Sequence, residues 1–214
     1  RLGIGEYTAS NDYVLIDNAN LSGIEIVGDI GVSVDTTGGS PFNCTATSVV
    51  ITIRKVRLSG ANNQNIVSMG VKSTLNLVSC ILSAPIGHAN RSLASVSAGV
   101  LNLEGCLLLS AFYDTDPRSS FTLSATASGT VNNRVASPSR HSSVASTAYL
   151  NTSGTVDVDN TLILGAASHG LICAGTGTYK IRNSLVTGGH KNSSVFPIIR
   201  SGGTLSVGNT LVVA

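Results

Sequence analysis

The chain has 214 residues, a formal charge of +2, only 11% charged residues and no Trp. That length suits one large domain or one repeat array with a sizeable core. The near-neutral balance, few aromatics and lack of a basic run argue against nucleic acid as a partner, and no apolar stretch approaches the roughly 18 residues of a membrane helix.

What remains is β-like. Gly, Ser, Thr, Asn and Val are abundant, and the helix formers Glu, Lys, Gln and Arg are scarce. The four cysteines, Cys44, Cys80, Cys106 and Cys173, form no CxxC pair. Neither a zinc nor a redox motif is expected, and no metal or cofactor is assigned. The chain opens at Arg1 without a Met or a visible signal peptide, and reads as a fragment or a processed product.

Residues 1–20 read as a lead-in or cap, and residues 21–214 as a repeat domain. GIEIVGDIGVSV from Gly23, VITIRKVRLSGA from Val50, STLNLVSCILSA from Ser73 and GVLNLEGCLLLSA from Gly99 share one shape. GTVDVDNTLILGA from Gly154, GTYKIRNSLVTGG from Gly177 and GTLSVGNTLVVA from Gly203 share it too. The anchors are Ile24, Ile51, Leu75, Leu101, Val156, Tyr179 and Leu205, at steps of 27, 24, 26, 55, 23 and 26. The step of 55 spans two periods, so a degenerate turn is expected in GTVNN around Val131. The array then has about eight turns of roughly 23 to 30 residues.

Each unit opens on a small residue and continues as an alternating strand. Val156 and Val158 point one way, Asp157 and Asp159 the other. A polar corner follows, with Asn160, Asn183 and Asn209 in one slot and Ser79 and Gly105 in the same slot earlier. A second apolar strand closes the unit. Such a unit cannot bury its apolar face alone, whereas stacking on the next copy buries it. Stacking predicts an Asn ladder at the corner, and outward pairs of Asp157 with Lys180 and of Asp159 with Arg182. It also places Cys80 and Cys106 in one slot, as stacked thiols or as a disulfide. The apolar run at the end reads as a coil cut short, with further coils or a cap expected beyond Ala214.

The GTxxIxNSxVxG units from Gly154, Gly177 and Gly203, with their Asn corner, resemble right-handed parallel β-helix proteins of the pectin-lyase-like architecture. The likeness covers residues 20–214. It implies an all-β right-handed solenoid. It also points to three functional classes: polysaccharide lyases and hydrolases, bacterial surface adhesins, and the trimeric tail spikes and tail fibres of phages.

Two stretches interrupt the repeat. AFYDTDPRSS, residues 111–120, brings together Tyr113, Asp114, Asp116 and Arg118. Asp114 and Asp116 are the candidate catalytic acids, one to donate a proton and one to act as base or nucleophile on a glycan. Tyr113 and Arg118 are candidate glycan contacts. The plain alternative is a solvated loop with an Asp-Pro turn. NNRVASPSRHSS, residues 132–143, adds Arg134, Arg140 and His141 as candidate contacts for acidic sugar, or equally a polar outer loop. His88, His169 and His190 read as surface turn residues, short of a metal site.

The second strands carry two adjacent apolar columns, and only one can face inward. The column Leu82, Leu108, Ile163, Val186 and Val212 is taken as the outer one, an apolar stripe for side-by-side packing in a homotrimer. With the resemblance, this implies a structural and receptor-binding segment of a phage tail spike or fibre. Its partners would be copies of itself, other virion tail proteins, and cell-surface polysaccharide or lipopolysaccharide. No membrane insertion is expected, and the site of action would be the virion tail, outside the host cell. The alternatives are a polysaccharide-degrading enzyme of the same architecture and a secreted or surface-bound bacterial adhesin or passenger domain.

Overall fold

The computed structural model describes residues 6–9, 14–29, 32–60, 65–83, 92–109, 121–137, 148–164, 169–188 and 196–213. Among these residues every regular element is a strand, apart from one 3-10 turn at Ala19–Leu21. That turn is capped by the Asn18 side chain, which accepts from the Asn20 N–H at 2.9 Å. The strand pairs are parallel and join residues one repeat apart, so the chain is an all-β parallel solenoid.

Each rung presents three faces. The first is a sheet of eight short strands, from Val14–Ile16 to Ile198–Arg200. The second carries five-residue strands such as Val50–Arg54, Thr74–Val78, Val100–Glu104 and Thr178–Arg182. The third carries three-residue strands such as Arg57–Ser59, Ile81–Ser83, Leu107–Leu109 and Leu185–Thr187. In mid-array, Ser128–Ser137 and Thr155–Leu164 run through the second and third faces as unbroken strands.

The register follows the repeat. Ile51 pairs with Leu75, Leu75 with Leu101, Val156 with Tyr179, and Tyr179 with Leu205. The degenerate turn lies where the spacing puts it. Gly129 stands between Leu101 and Val156, and Val131 between Leu103 and Val158. The turn count is lower than the sequence suggests, with about six turns in place of eight. The physical difference lies at the ends. Second-face strands from Val50–Arg54 to Thr178–Arg182 bury inward residues fully, whereas Ile24 and Ile26 at one end and Leu205 at the other are only partly covered. Strands Glu6–Ala9 and Val14–Ile16 already pair with Ser33–Thr36 and Phe42–Cys44, so the sheets begin before residue 21.

Inward residues form one continuous core along the axis, including Ile51, Leu75, Leu101, Val156 and Tyr179 from the second face and Phe42, Val67, Ala94, Phe121 and Ala148 from the first. Close stacking also selects glycine. A Cβ on Gly99, at φ +97°, would lie 2.2 Å from the Ser73 carbonyl oxygen of the rung below, so only a residue without one fits.

The expected outer stripe is the other way round. Leu82, Leu108, Ile163 and Val186 are fully buried, and Val212 lies in register with Val186 in the last described rung. A three-residue strand after a two-residue corner points its middle side chain inward, so these residues are core. The column that faces out is the neighbouring one, Ile81, Leu107, Leu162, Leu185 and Leu211. Truncating Leu108 to Ala is therefore expected to cost about 2–5 kcal/mol, as core Leu truncations do. Urea unfolding followed by circular dichroism checks this, and an unchanged midpoint would return Leu108 to the surface.

Candidate functional surfaces

The corner between the second and third faces organises the outer wall. Its first residue is left-handed in every rung where it is seen: Lys55 at φ 57°, Ser79 at 54°, Gly105 at 59°, Asn160 at 45°, Asn183 at 48° and Asn209 at 44°. Asn and Gly take this conformation at least cost. The Asn ladder forms, with one change of partner. Asn209 Nδ2 donates to Asn183 Oδ1 at 2.7 Å, and Asn183 Nδ2 donates to Asp159 Oδ1 at 2.9 Å. A second ladder lies on the second face. Thr130 Oγ1 donates to Asn102 Oδ1 at 2.8 Å, Asn102 Nδ2 to Asn76 Oδ1 at 2.8 Å, and Asn76 Nδ2 to Thr52 Oγ1 at 3.2 Å. The sequence reading missed it, although a polar residue at the centre of each alternating strand was the available signal.

Charges on this face are in the expected register, with Asp157 beside Lys180 and Asp159 beside Arg182. The contacts differ. Arg182 reaches both carboxylates, Asp157 at 3.7 Å and Asp159 at 3.9 Å, and Lys180 makes no ion pair among the described residues. These exposed pairs contribute little to stability. They also occupy the acids that could otherwise serve a lyase-like site.

The residue after the left-handed one points inward. Cys80, Cys106, Thr161 and Ser184 fill this slot and are buried. Each hydroxyl or thiol lies within hydrogen-bonding reach of the carbonyl two residues back: Cys80 to Val78 at 3.5 Å, Cys106 to Glu104 at 3.5 Å, Thr161 to Asp159 at 2.7 Å and Ser184 to Arg182 at 2.6 Å. Cys80 and Cys106 are not joined in a disulfide. The Cys106 thiol beside it, and then burial, push the Cys80 thiol well above its ordinary range. Burial alone pushes Cys173 up to about 12. Tyr179, fully buried beneath the corner that precedes its strand, is raised chiefly by burial. Its hydroxyl sits among the carbonyls of Leu150, Thr152 and Ala174.

Most of the loop-borne candidates fall outside the described residues: Tyr113, Asp114, Asp116, Arg118, Arg140 and His141, and likewise His88 and His190. Arg134 lies in the strand Ser128–Ser137, in register with Thr161. His169 is described. Its Nδ1 accepts from the Phe196 N–H at 3.1 Å, and the two rings stack at 6.3 Å. No group of three or more potential metal ligands occurs among the described residues.

The stems of the two interrupting stretches are nevertheless placed. Leu109, before residues 110–120, pairs with Ser137, before residues 138–147. Phe121 and Ala148, after them, also pair. Both stretches leave and rejoin the same two faces on adjacent rungs. Comparisons with protein-family models, with curated proteins and with solved structures each return no match.

Alkaline stability follows from the raised thiols. An unfolded Cys173 gives up its proton near 9, whereas the folded one holds it to about 12. The stabilising contribution is full below pH 9 and is lost as pH rises toward 12. Urea midpoints measured from pH 7 to 11 should fall above pH 9. Replacing Cys173 by Ala should flatten that fall, and a slope unchanged by the substitution would remove Cys173 as its cause.

Proposed function

We propose that this chain is a structural, receptor-facing segment of a phage tail spike or tail fibre, a β-solenoid that packs side by side with copies of itself in a homotrimer. The loops at its corners would meet polysaccharide or lipopolysaccharide on the host surface. One observation carries the reading. The outward column of the third face is apolar wherever its side chains are described, at Ile81, Leu107, Leu162, Leu185 and Leu211, and Val135 stands in register between Leu107 and Leu162. At about 4.8 Å per rung the stripe runs roughly 24 Å along the axis. Ile81 is 37% exposed and Leu211 63% exposed. Leu109, 37% exposed, and Leu164 widen it in the adjoining outward slot. A straight apolar stripe on a rigid wall fits a parallel copy of itself, and such patches mark interfaces.

The paired loop stems favour one second reading, a polysaccharide-degrading enzyme. The stretch that bears Asp114 and Asp116 and the stretch that bears Arg140 and His141 start from paired stem residues, Leu109 and Ser137, and end at paired ones, Phe121 and Ala148. That reading requires glycan cleavage that disappears when Asp114 and Asp116 are both changed to Ala.

Sedimentation equilibrium tests the first reading. The chain mass is 21.8 kDa, and a particle of three chains is expected. Leu107→Asp with Leu162→Asp should dissociate it to monomer while the β-sheet circular dichroism signal is kept. A wild-type monomer would overturn the trimer and move the adhesin and enzyme readings forward.

A further inference from the structure

The stripe on the third face gives each copy one contact surface, and a ring of three needs two. A surface that meets its own equivalent builds a two-fold pair, whereas a closed ring of three joins one surface to a different one on the next copy. The outer side of the first face supplies that second surface. Its central outward slot, above Leu15 in the first rung, is polar at Asn43, Ser68, Ser95 and Thr122. It then turns apolar at Tyr149, Ile172 and Ile199, in the last three described rungs.

These three side chains are half-buried, as Leu107, Leu162 and Leu185 are on the third face. Phe196, 55% exposed, stands just before the last of these strands, Ile198–Arg200, and extends the apolar surface at that end. The fold does not require the change, since Ser68, Ser95 and Thr122 fill the same slot of the same parallel sheet. Tyr149 belongs to the same rung as Leu162, Ile172 to that of Leu185, and Ile199 to that of Leu211. At those rungs the second face stays polar, with Asp157, Lys180 and Ser206 in its central slot. Two of the three walls are thus apolar over the same stretch of the axis, and the remaining wall is not.

We propose that the homotrimer closes through these two different walls: Tyr149, Ile172 and Ile199 of one copy cover Leu162, Leu185 and Leu211 of the next. The inference rests on the homotrimer reading above and names the surfaces that meet in it. Rotation about an axis parallel to the coil carries no shift along that axis, so each rung meets the same rung of its neighbour. Two walls with one rung spacing then stay aligned over the whole contact. Tyr149 suits such a seam, because its ring packs on apolar neighbours and its hydroxyl tolerates a wet rim. The polar second face is left on the outside of the trimer.

Cysteine cross-linking separates this seam from stripe-to-stripe packing. Ile172→Cys with Leu185→Cys, fully oxidised with copper phenanthroline, is expected to give a covalent species of three chains on a non-reducing denaturing gel. Leu185→Cys alone and Ile172→Cys alone are expected to stay single chains. A stripe that met its own equivalent would instead turn the Leu185→Cys variant into a two-chain species. The four native cysteines are buried in the core, away from both walls. In sedimentation equilibrium, Ile172→Asp should shift the mass from three chains to one while the β-sheet circular dichroism signal is kept. Ser95→Asp, in the same slot three rungs earlier, should leave three chains. A trimer that Ile172→Asp does not dissociate, or cross-linking by Leu185→Cys on its own, would overturn the seam and leave the homotrimer standing. A wild-type monomer would overturn both.

Discussion

The two-residue corner between the second and third faces fixes the rest of the wall. Its first residue must be left-handed, a conformation that costs most side chains about 1–2 kcal/mol. Asn160, Asn183, Asn209 and Gly105 meet the demand through their own chemistry. Lys55 and Ser79 are held there by the stack: the Lys55 N–H donates to the Val78 carbonyl at 3.1 Å, and the Ser79 N–H to the Glu104 carbonyl at 2.8 Å. The second residue then points inward and turns its hydroxyl or thiol back on the carbonyl two residues earlier. Polar groups at a tight, buried bend are satisfied locally, and no long side chain need enter the core to reach them.

That corner also sets parity. After two residues of bend, a strand of three has one inward position and two outward ones. Leu58, Leu82, Leu108, Ile163 and Val186 take the inward position and are buried. The slot before each must face out, whatever residue occupies it. Arg57 and Leu107 hold equivalent places in the register, two rungs apart. Folding thus constrains the inward letters tightly and leaves the outward letters to other demands.

This division explains what could be read from the sequence. Anchors, period, Asn corner and degenerate turn at Val131 were legible, because each rests on an inward residue or on a corner that tolerates few residue types. The choice between the two apolar columns was not legible from alternation. Leu107 and Leu108 are both Leu, and only the length of the bend says which enters the core. The Asn76–Asn102–Thr130 ladder was equally hidden, since outward polar residues look like ordinary solvent-facing ones until the register aligns them.

The outward column from Ile81 to Leu211 still needs a cause, because rung stability does not supply one. The second face has the same parallel pairing, and its outward slots hold Thr52, Asn76, Asn102, Thr130, Asp157 and Lys180. Those rungs stack as regularly as their neighbours, with side-chain hydrogen bonds linking many of them. A polar ladder is thus sufficient for this backbone. If the third face required only lateral contacts between rungs, β-branched residues would suit it better than Leu, which has the weaker strand preference. Leu at four of its six places leaves apolar surface in water with no gain to the single coil. On the proposed side-by-side packing, the gain comes from a second surface that covers it. A straight stripe repeating at the rung spacing is most simply matched by another wall with the same spacing, which is another copy of this coil.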